Sequence, residues 1–404
     1  MPAGKRWRFG SGNGEYIGLS STKGAVLIQT QESSENRPSS TSTHQKEVEI
    51  GGQESIWSVA FPVDGKHIVG GSIRGTIRRW LVENGKEVGT PIRMNARDIV
   101  WNIVVSHDGK WIVSGTQSGF VQVWNAETHE KAIVFQGHNG WVRAVDVSPD
   151  STKIASGSHD KTSYVWSLLT GKRLLGPLEH DYIVSVVQFS PDGRLIATAA
   201  NSVRIYDSQN ARLLVDVPIY VTLSSNQSLA WSRNSQQLFA LSFGKISCLD
   251  VFTGTTLSQW SIHGNDSKSI ALASNGTFIA ASAGSSISFW DTTTHKQIGT
   301  IDHTAKVYFM AISENYDIVV GGGKKTILRT LCDILPPFYV STSASRTWFA
   351  NFLNCHRFRP SREFGKQRRK GLKSSQLVSH VCQITLRFIC VLAWFPDIHV
   401  HQTK

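Results

Sequence analysis

Apolar and polar residues alternate along most of the chain in short runs, and turn signals separate these runs. The clearest stretch spans residues 136–166, with the sequence QGHNGWVRAVDVSPDSTKIASGSHDKTSYVW. One apolar alternation ends at the turn 148–150, a second run leads into the turn 159–161, and a third ends at Trp166. Alternation with a period of two residues between such turns predicts antiparallel hairpins of short strands.

The same arrangement recurs along the chain. One strand of each copy ends on an aromatic residue or its substitute, at Trp80, Trp124, Trp166, Tyr206, Leu249 and Trp290. The successive intervals are 44, 42, 40, 43 and 41 residues. Because one such small sheet cannot bury both of its faces, the copies are expected to pack against one another around an axis.

Several motifs give these copies a family resemblance. Gly137-His138 precedes Trp166, His180 precedes Tyr206-Asp207, and His263 precedes Trp290-Asp291. In these motifs the chain resembles the WD-repeat β-propeller family, including its fungal-type members. The resemblance implies an all-β, seven-bladed β-propeller with an irregular C-terminal tail. An eight-bladed ring is the alternative, because residues 14–29 read as two strands of a further unit.

The resemblance covers residues 46–333 and sets the predicted domain organisation. Seven units end near residues 89, 135, 176, 217, 260, 301 and 333, and the strand Lys46–Ile50 is expected to complete the last sheet. Residues 1–45 form an N-terminal segment with the partial repeat and a polar linker. Residues 334–404 form a basic, low-structure tail in which a gene-model artefact is an alternative to a folded segment.

Charge changes the picture only for the tail. The formal net charge is +12, and from Leu331 onward 11 Lys and Arg residues face 3 Asp and Glu residues. The basic stretch Arg357–Lys373 is open to four interpretations: a nuclear-import signal, an arm that contacts RNA, a contact with acidic lipid, or a solvated, unstructured stretch. The longest uninterrupted apolar run near the C-terminus, Phe388–Phe395, is too short for a membrane span.

The remaining composition bears on the cellular compartment. The five cysteines form no C-x-x-C pair, which favours a reducing compartment over a disulfide framework. The N-terminus, MPAGKRWRFG, has no apolar segment typical of a secretory signal. A cytoplasmic protein is therefore expected, with the nucleus as an alternative. The histidines lack metal-ligand spacing, so neither a metal nor a cofactor is predicted.

Four residues of the third unit raise the question of catalysis: His138, Ser156, Asp160 and Trp166. A hydrolase would use such a Ser, His and Asp as a triad, but no G-x-S-x-G elbow occurs in the chain. The family resemblance implies an internal hydrogen-bond chain instead, and we predict that the protein is not an enzyme. The equivalent aspartate is replaced by Arg74, Ser118 and Asn201 in the first, second and fourth units, which are therefore expected to depend mainly on apolar packing.

The resemblance also implies a binding face, where the His-bearing loops enter the first strand of each blade. The outward positions carried over to this chain include Trp57, Trp101, Trp141, Arg143, Lys306 and Tyr308. These residue types dominate interface energetics, although tryptophans packed between blades are the alternative. We therefore expect a scaffold that binds a protein or peptide partner. A nucleic-acid adaptor that uses the tail, or an enzyme with its site in the central channel, is the alternative.

Overall fold

The chain forms two compact units, Met1–Glu47 and Val48–Lys404. The computed structural model describes residues 8–10, 16–22, 25–29, 48–50, 54–94, 98–221, 228–262, 268–322, 325–331 and 334–340. The polar linker 31–45, His263 and the basic stretch Arg357–Lys373 lie outside the described residues.

The first unit contains a three-stranded antiparallel sheet in the order β1-β2-β3. Its strands are β1 (Arg8–Gly10), β2 (Tyr16–Thr22) and β3 (Ala25–Gln29). The sequence predicts β2 and β3 from their alternation. It misses β1, because three residues are too few to display a period of two.

The second unit contains seven four-stranded antiparallel sheets, which are the blades of a propeller. Blades 1 and 2 consist of β5 (Ile56–Ala60), β6 (His67–Ser72), β7 (Thr76–Leu81), β8 (Ile92–Arg93), β9 (Val100–Val105), β10 (Trp111–Thr116), β11 (Val121–Asn125) and β12 (Lys131–Phe135). Blades 3 and 4 consist of β13 (Val142–Val147), β14 (Lys153–Ser158), β15 (Thr162–Ser167), β16 (Arg173–Glu179), β17 (Val186–Phe189), β18 (Leu195–Ala199), β19 (Val203–Asp207) and β20 (Leu213–Val217).

The other three blades repeat this plan. Blades 5 and 6 consist of β21 (Leu229–Trp231), β22 (Gln237–Ser242), β23 (Lys245–Asp250), β24 (Thr256–Ser261), β25 (Ile270–Leu272), β26 (Phe278–Ala283), β27 (Ser286–Asp291) and β28 (Gln297–Asp302). Blade 7 consists of β29 (Phe309–Ile312), β30 (Asp317–Gly322), β31 (Lys325–Thr330) and β4 (Val48–Ile50).

The ring closes through a strand from the N-terminal side of the unit. The first strands of blades 1 to 4 contact one another in series, as do those of blades 5 to 7, and β29 contacts β5. β4 pairs with β31, with Leu328 opposite Val48 and Thr326 opposite Ile50. Seven blades and closure by this strand are as predicted. The face that carries the turn from the second to the third strand and the loop into the next first strand is called the entry face below.

The hydrophobic core lies between neighbouring blades rather than within one sheet. One buried cluster joins Val121 of blade 2 to Val142 and Trp166 of blade 3. Glycine allows the second strand of a blade to approach the next first strand closely. A Cβ atom on Gly71 would lie 2.5 Å from the Val100 side chain. A side chain at this position would therefore push the two blades apart.

Residues 334–340, which the sequence analysis assigns to the tail, pack against blade 6. They include the short helix α1 (Pro337–Val340). Leu335 and Val340 are buried in the cluster around Phe278, and the Tyr339 hydroxyl donates a hydrogen bond to Asp291 at 2.8 Å. No helix among the described residues is long and apolar enough to cross a membrane.

Candidate binding face

The outward position of the tryptophans follows from strand alternation. Trp57 and Trp101 are the second residues of β5 and β9, and both are half-buried. The residues before them, Ile56 and Val100, are almost completely buried. Arg143 is the second residue of β13 and is also half-buried. These three side chains therefore emerge at equivalent places on the entry face of blades 1 to 3.

The rings form a continuous series across four blades, which we call the aromatic arc: Tyr308, Trp57, Trp101, Trp141 and His159. Trp57 stacks on Tyr308 with ring centroids 5.9 Å apart and meets Trp101 edge to face at 5.2 Å. Trp101 stacks on Trp141 at 5.4 Å, and Trp141 stacks on His159 at 4.6 Å. Such pairs stabilise one another beyond the area that they bury, so each ring of the arc is held in place by its neighbours.

The arc is partly open to solvent. Trp141 is 37% exposed, and Trp57, Trp101, His159 and Tyr308 are half-buried. Half-burial is compatible with both interpretations of these tryptophans, as partner contacts and as packing residues. One part of each ring packs on its neighbour, and the rest faces the solvent.

Cationic groups accompany the rings. The Arg143 guanidinium lies 4.4 Å from the centroid of the Trp101 ring, which is cation–π geometry. Burial lowers the pKa of Arg143 to about 10. Burial, and then the charge of Arg143, lower the pKa of His159. Lys306 is exposed two residues before Tyr308, in the loop that enters blade 7.

Three further exposed aromatic residues lie on the entry face of blades 4 and 5, and the sequence analysis missed them. Tyr182 is 45% exposed, Tyr220 60% and Phe243 64%. The Ser242 hydroxyl donates to the Tyr220 carbonyl, which holds the loop into blade 5 next to the turn that carries Phe243. These residues lie in loops and turns, where no alternation distinguishes outward from inward positions. Three aromatic residues in loops and turns were the available signal.

The four polar residues of blade 3 meet in one hydrogen-bond chain. His138 Nδ1 lies 3.0 Å from Asp160 Oδ2, and His138 Nε2 lies 2.8 Å from Ser156 Oγ. The Trp166 indole donates to the same hydroxyl at 2.8 Å. Burial alone would raise the pKa of Asp160, but hydrogen bonds from His138 and Thr162 hold it well below its usual range. Ser156 has no exposed surface, so its hydroxyl is enclosed by the blade.

Blades 1 and 2 have polar contacts of their own, which the expectation of mainly apolar packing did not include. Glu54 accepts hydrogen bonds from Arg78 at 2.9 Å and Thr76 at 2.5 Å. Asp98 accepts from the backbone N–H and the hydroxyl of Ser118. In blades 1 and 2 the acid lies in the loop into the first strand, and its hydroxyl partner lies in or beside the turn between the second and third strands. In blade 3 the acid, Asp160, lies in that turn instead. An acid two residues before the first strand was the sequence signal.

Polar side chains on the innermost strands connect neighbouring blades. Asn102 donates to the Ser58 hydroxyl at 3.1 Å and accepts from the Val145 N–H at 2.8 Å. Asp146 accepts from the Phe189 N–H at 2.7 Å. Burial raises the pKa of Asp146 to about 7, although the backbone N–H groups that it binds oppose this shift. These polar side chains interrupt the apolar pattern of the innermost strands of blades 2 and 3.

Other site chemistry is sparse in the part of the chain that the structure describes. No group of three or more His, Cys, Asp or Glu side chains among these residues is placed to hold a metal ion. A cavity of about 160 Å³ lies between blades 1 and 2, lined in part by Asp64, His67 and Arg79. Asp64 and His67 belong to the turn after the first strand, so this cavity opens on the face opposite the aromatic arc.

Comparison with known families supports what the geometry indicates. The family model of the WD domain, G-beta repeat (WD40), matches residues 44–80, 89–125, 130–167 and 172–207. A search of curated proteins finds no match. Each matched segment holds the fourth strand of one blade and the first three strands of the next, so that together they include the first three strands of blades 1 to 4. Blades 5 to 7 continue the same four-stranded plan around the ring. The chain is therefore a member of the WD-repeat β-propeller family.

Proposed function

We propose that this propeller is a non-enzymatic platform that captures a protein or peptide partner on its entry face. WD-repeat propellers are generally interaction scaffolds rather than enzymes. The observation that carries the proposal is the aromatic arc, which spans four blades and keeps part of each ring in solvent.

The energetics of the arc favour binding. Tryptophan, tyrosine and arginine contribute most of the binding energy in many interfaces, because they bury a large area with few rotatable bonds. Stacking between Trp101 and Trp141 already fixes both rings, so little conformational entropy remains to be lost when a partner docks.

The enclosed polar groups favour a scaffold over a channel enzyme. The Ser156 hydroxyl is shared between His138 and Trp166 and has no exposed surface. The inner carboxylate of Asp146 is used by the backbone of the next blade. These groups stabilise the blades, and no substrate reaches Ser156 without opening blade 3.

The test is the double substitution of Trp57 and Trp101 by alanine in the full chain. We expect the thermal midpoint to fall only as far as it does in the matched control Trp111→Ala, a half-buried tryptophan at the opposite end of blade 2. Affinity capture with mass spectrometry should then lose partners with the double variant and keep them with the control. If the double variant unfolds and the control does not, both tryptophans are core residues. A folded double variant that keeps every partner would remove the aromatic arc as the site.

A further inference from the structure

We propose that the aromatic arc binds an acidic peptide segment, with a carboxylate of the peptide received by Arg143. This inference rests on the proposed function and names the class of partner. Three observations support it: how the carboxylates of this sector are used, which charges face the solvent, and how the rings are oriented.

The carboxylates around the arc are occupied by groups of the same chain. Glu54 is bound by Arg78 and Thr76, Asp98 by Ser118, and Asp160 by His138. The side chains of Glu54 and Asp160 are each only 12% exposed, and Asp98 is 9% exposed. They therefore contribute little negative charge to the surface that a partner would meet.

Three basic side chains are exposed around the arc. Arg74 and Lys161 are exposed in the turns between the second and third strands of blades 1 and 3, and Lys306 is exposed beside Tyr308. No carboxylate among the described residues lies within 4.0 Å of the charged groups of Arg74 or Lys161. The exposed carboxylates Glu179 and Asp302 end fourth strands, at the outer edge of the ring, and the exposed carboxylate of Asp181, in the loop into blade 4, is paired with Arg204. A partner approaching the centre of the face therefore meets positive charge.

Among these basic residues, we expect Arg143 to interact most strongly with a carboxylate of the peptide. Its guanidinium lies over Trp101, and burial disfavours its charged form. A guanidinium that has lost water interacts more strongly with a carboxylate than an exposed one does, and its planar donors match both carboxylate oxygens. The apolar rings beside it would contact the aliphatic or aromatic residues next to the acid.

Ring orientation favours a peptide over single-stranded nucleic acid. Trp57 is nearly parallel to Tyr308 at 26°, Trp101 to Trp141 at 17°, and Trp141 to His159 at 27°. At least one face of each ring is thus covered by a neighbour, whereas nucleic-acid bases need open faces on which to stack. Ring edges and neighbouring cations remain available, and these suit amino-acid side chains.

The length of the arc sets the size of the segment. Its four steps between ring centroids measure 5.9, 5.2, 5.4 and 4.6 Å. The arc therefore extends over roughly 20 Å, which an extended peptide covers with about six residues.

A display library of random peptides, selected on the full-length protein, tests the inference. We expect selected peptides to be rich in Asp and Glu beside an apolar residue, and to lose binding to the Trp57→Ala/Trp101→Ala variant. Changing the peptide acids to their amides should weaken binding to the wild-type protein about tenfold, which corresponds to about 1.4 kcal/mol. Because this change is made in the peptide, it leaves the folding of the propeller untouched.

Variants of the protein locate the charge. Arg143→Gln should weaken the acidic peptide about tenfold and Lys161→Gln about threefold, because Lys161 is exposed and screened. Lys66→Gln, an exposed lysine on the opposite face, is the matched control and should change nothing.

Three results would overturn the inference. If the selected peptides depend on the aromatic arc but are neutral or basic, the inference of an acidic partner is wrong, and the aromatic arc remains the proposed binding site. If no selected peptide depends on the arc, the inference that the arc binds an acidic peptide is wrong. The affinity-capture experiment with the full chain then tests the proposed function independently. If oligothymidine displaces the peptides and binds the arc itself, the face binds single strands instead.

Discussion

Blades 3 and 4 share one strand plan but hold their entry loops in different ways. In blade 3, His138 is fixed by Asp160 and Ser156 inside the blade. In blade 4, Asn201 replaces the aspartate, and neither His180 Nδ1 nor Asn201 Oδ1 has a hydrogen-bond partner, although both atoms are buried. Burial, and then the charge of Arg204, lower the pKa of His180 to about 4.

In blade 4, an arginine restrains the entry loop in place of the missing aspartate. Arg204 donates to the carbonyl of Glu179 at 3.0 Å and to Asp181 at 2.9 Å, the residues on either side of His180. It also donates to Asp216 on the neighbouring fourth strand at 2.9 Å. The loop is therefore held from outside by a cation, and inside the blade His180 makes one side-chain hydrogen bond among the described residues, between its Nε2 and the Ser163 hydroxyl at 3.3 Å. A repeat fold can lose its motif where another contact restrains the same loop.

The largest expected effect is that of Asp160→Ala. It removes the acceptor for His138, Thr162 and the Asn139 N–H, so we expect the free energy of unfolding to fall by about 2–3 kcal/mol. Asn201→Ala is the matched control in blade 4 and should cost less than about 0.5 kcal/mol, because its carbonyl makes no hydrogen bond among the described residues. Urea unfolding at neutral pH measures both. Equal losses would show that the two blades are held alike.

A smaller effect is expected for Arg204→Gln. Its ion pairs lie near the surface and are partly screened, so we expect a loss of about 1 kcal/mol that shrinks in 1 M salt. The loss caused by Asp160→Ala should hardly change with salt, since those contacts lie largely inside blade 3. Arg194→Gln, an exposed arginine in a turn of blade 4, serves as the control. A salt-independent loss for Arg204→Gln would contradict a loop held by surface charge.

The smallest effect is expected for Asn201→Asp, which restores the blade 3 arrangement in blade 4. The pKa of His180 is about 4 in the folded protein and about 6.5 in the unfolded chain, so the unfolded chain takes up this proton first as the pH falls. The associated stability is present above pH 6.5 and is lost between pH 6.5 and 4. A carboxylate beside His180 should raise its pKa and reduce that loss. Histidine NMR titration, together with thermal unfolding at pH 5 and 7.5, measures both effects. An unchanged His180 pKa would show that residue 201 does not reach the ring.

Features that depend on local spacing could be predicted from the sequence. The repeat interval, the seven blades and the closing strand follow from alternation and turns, and the blade 3 set follows from a family motif. The outward positions of Trp57 and Trp101 follow from the strand period. Their stacking with Tyr308 and Trp141 does not, because it depends on how far each blade is rotated from the next.

Contacts between distant segments could not be predicted in this way. In the sequence, Arg204 looks like an ordinary outward residue of β19. Only in the folded blade does its guanidinium contact the residues on both sides of His180. Asn102 interrupts an apolar strand, which reads as a defect until Ser58 and Val145 are placed beside it. The packing of residues 334–340 was hidden for a similar reason, since its apolar residues follow no repeat.

The pairing of β4 with β31 has a consequence for the synthesis of the protein on the ribosome. These two strands of one sheet are separated by roughly 280 residues of chain, which a ribosome adds in roughly 15 to 55 seconds at about 5–20 residues per second. Throughout that interval β4 has no partner, and the blades already made present open strand edges to other chains. A chain that ends before Lys325 therefore lacks the partner of β4 and cannot close the ring through this pairing.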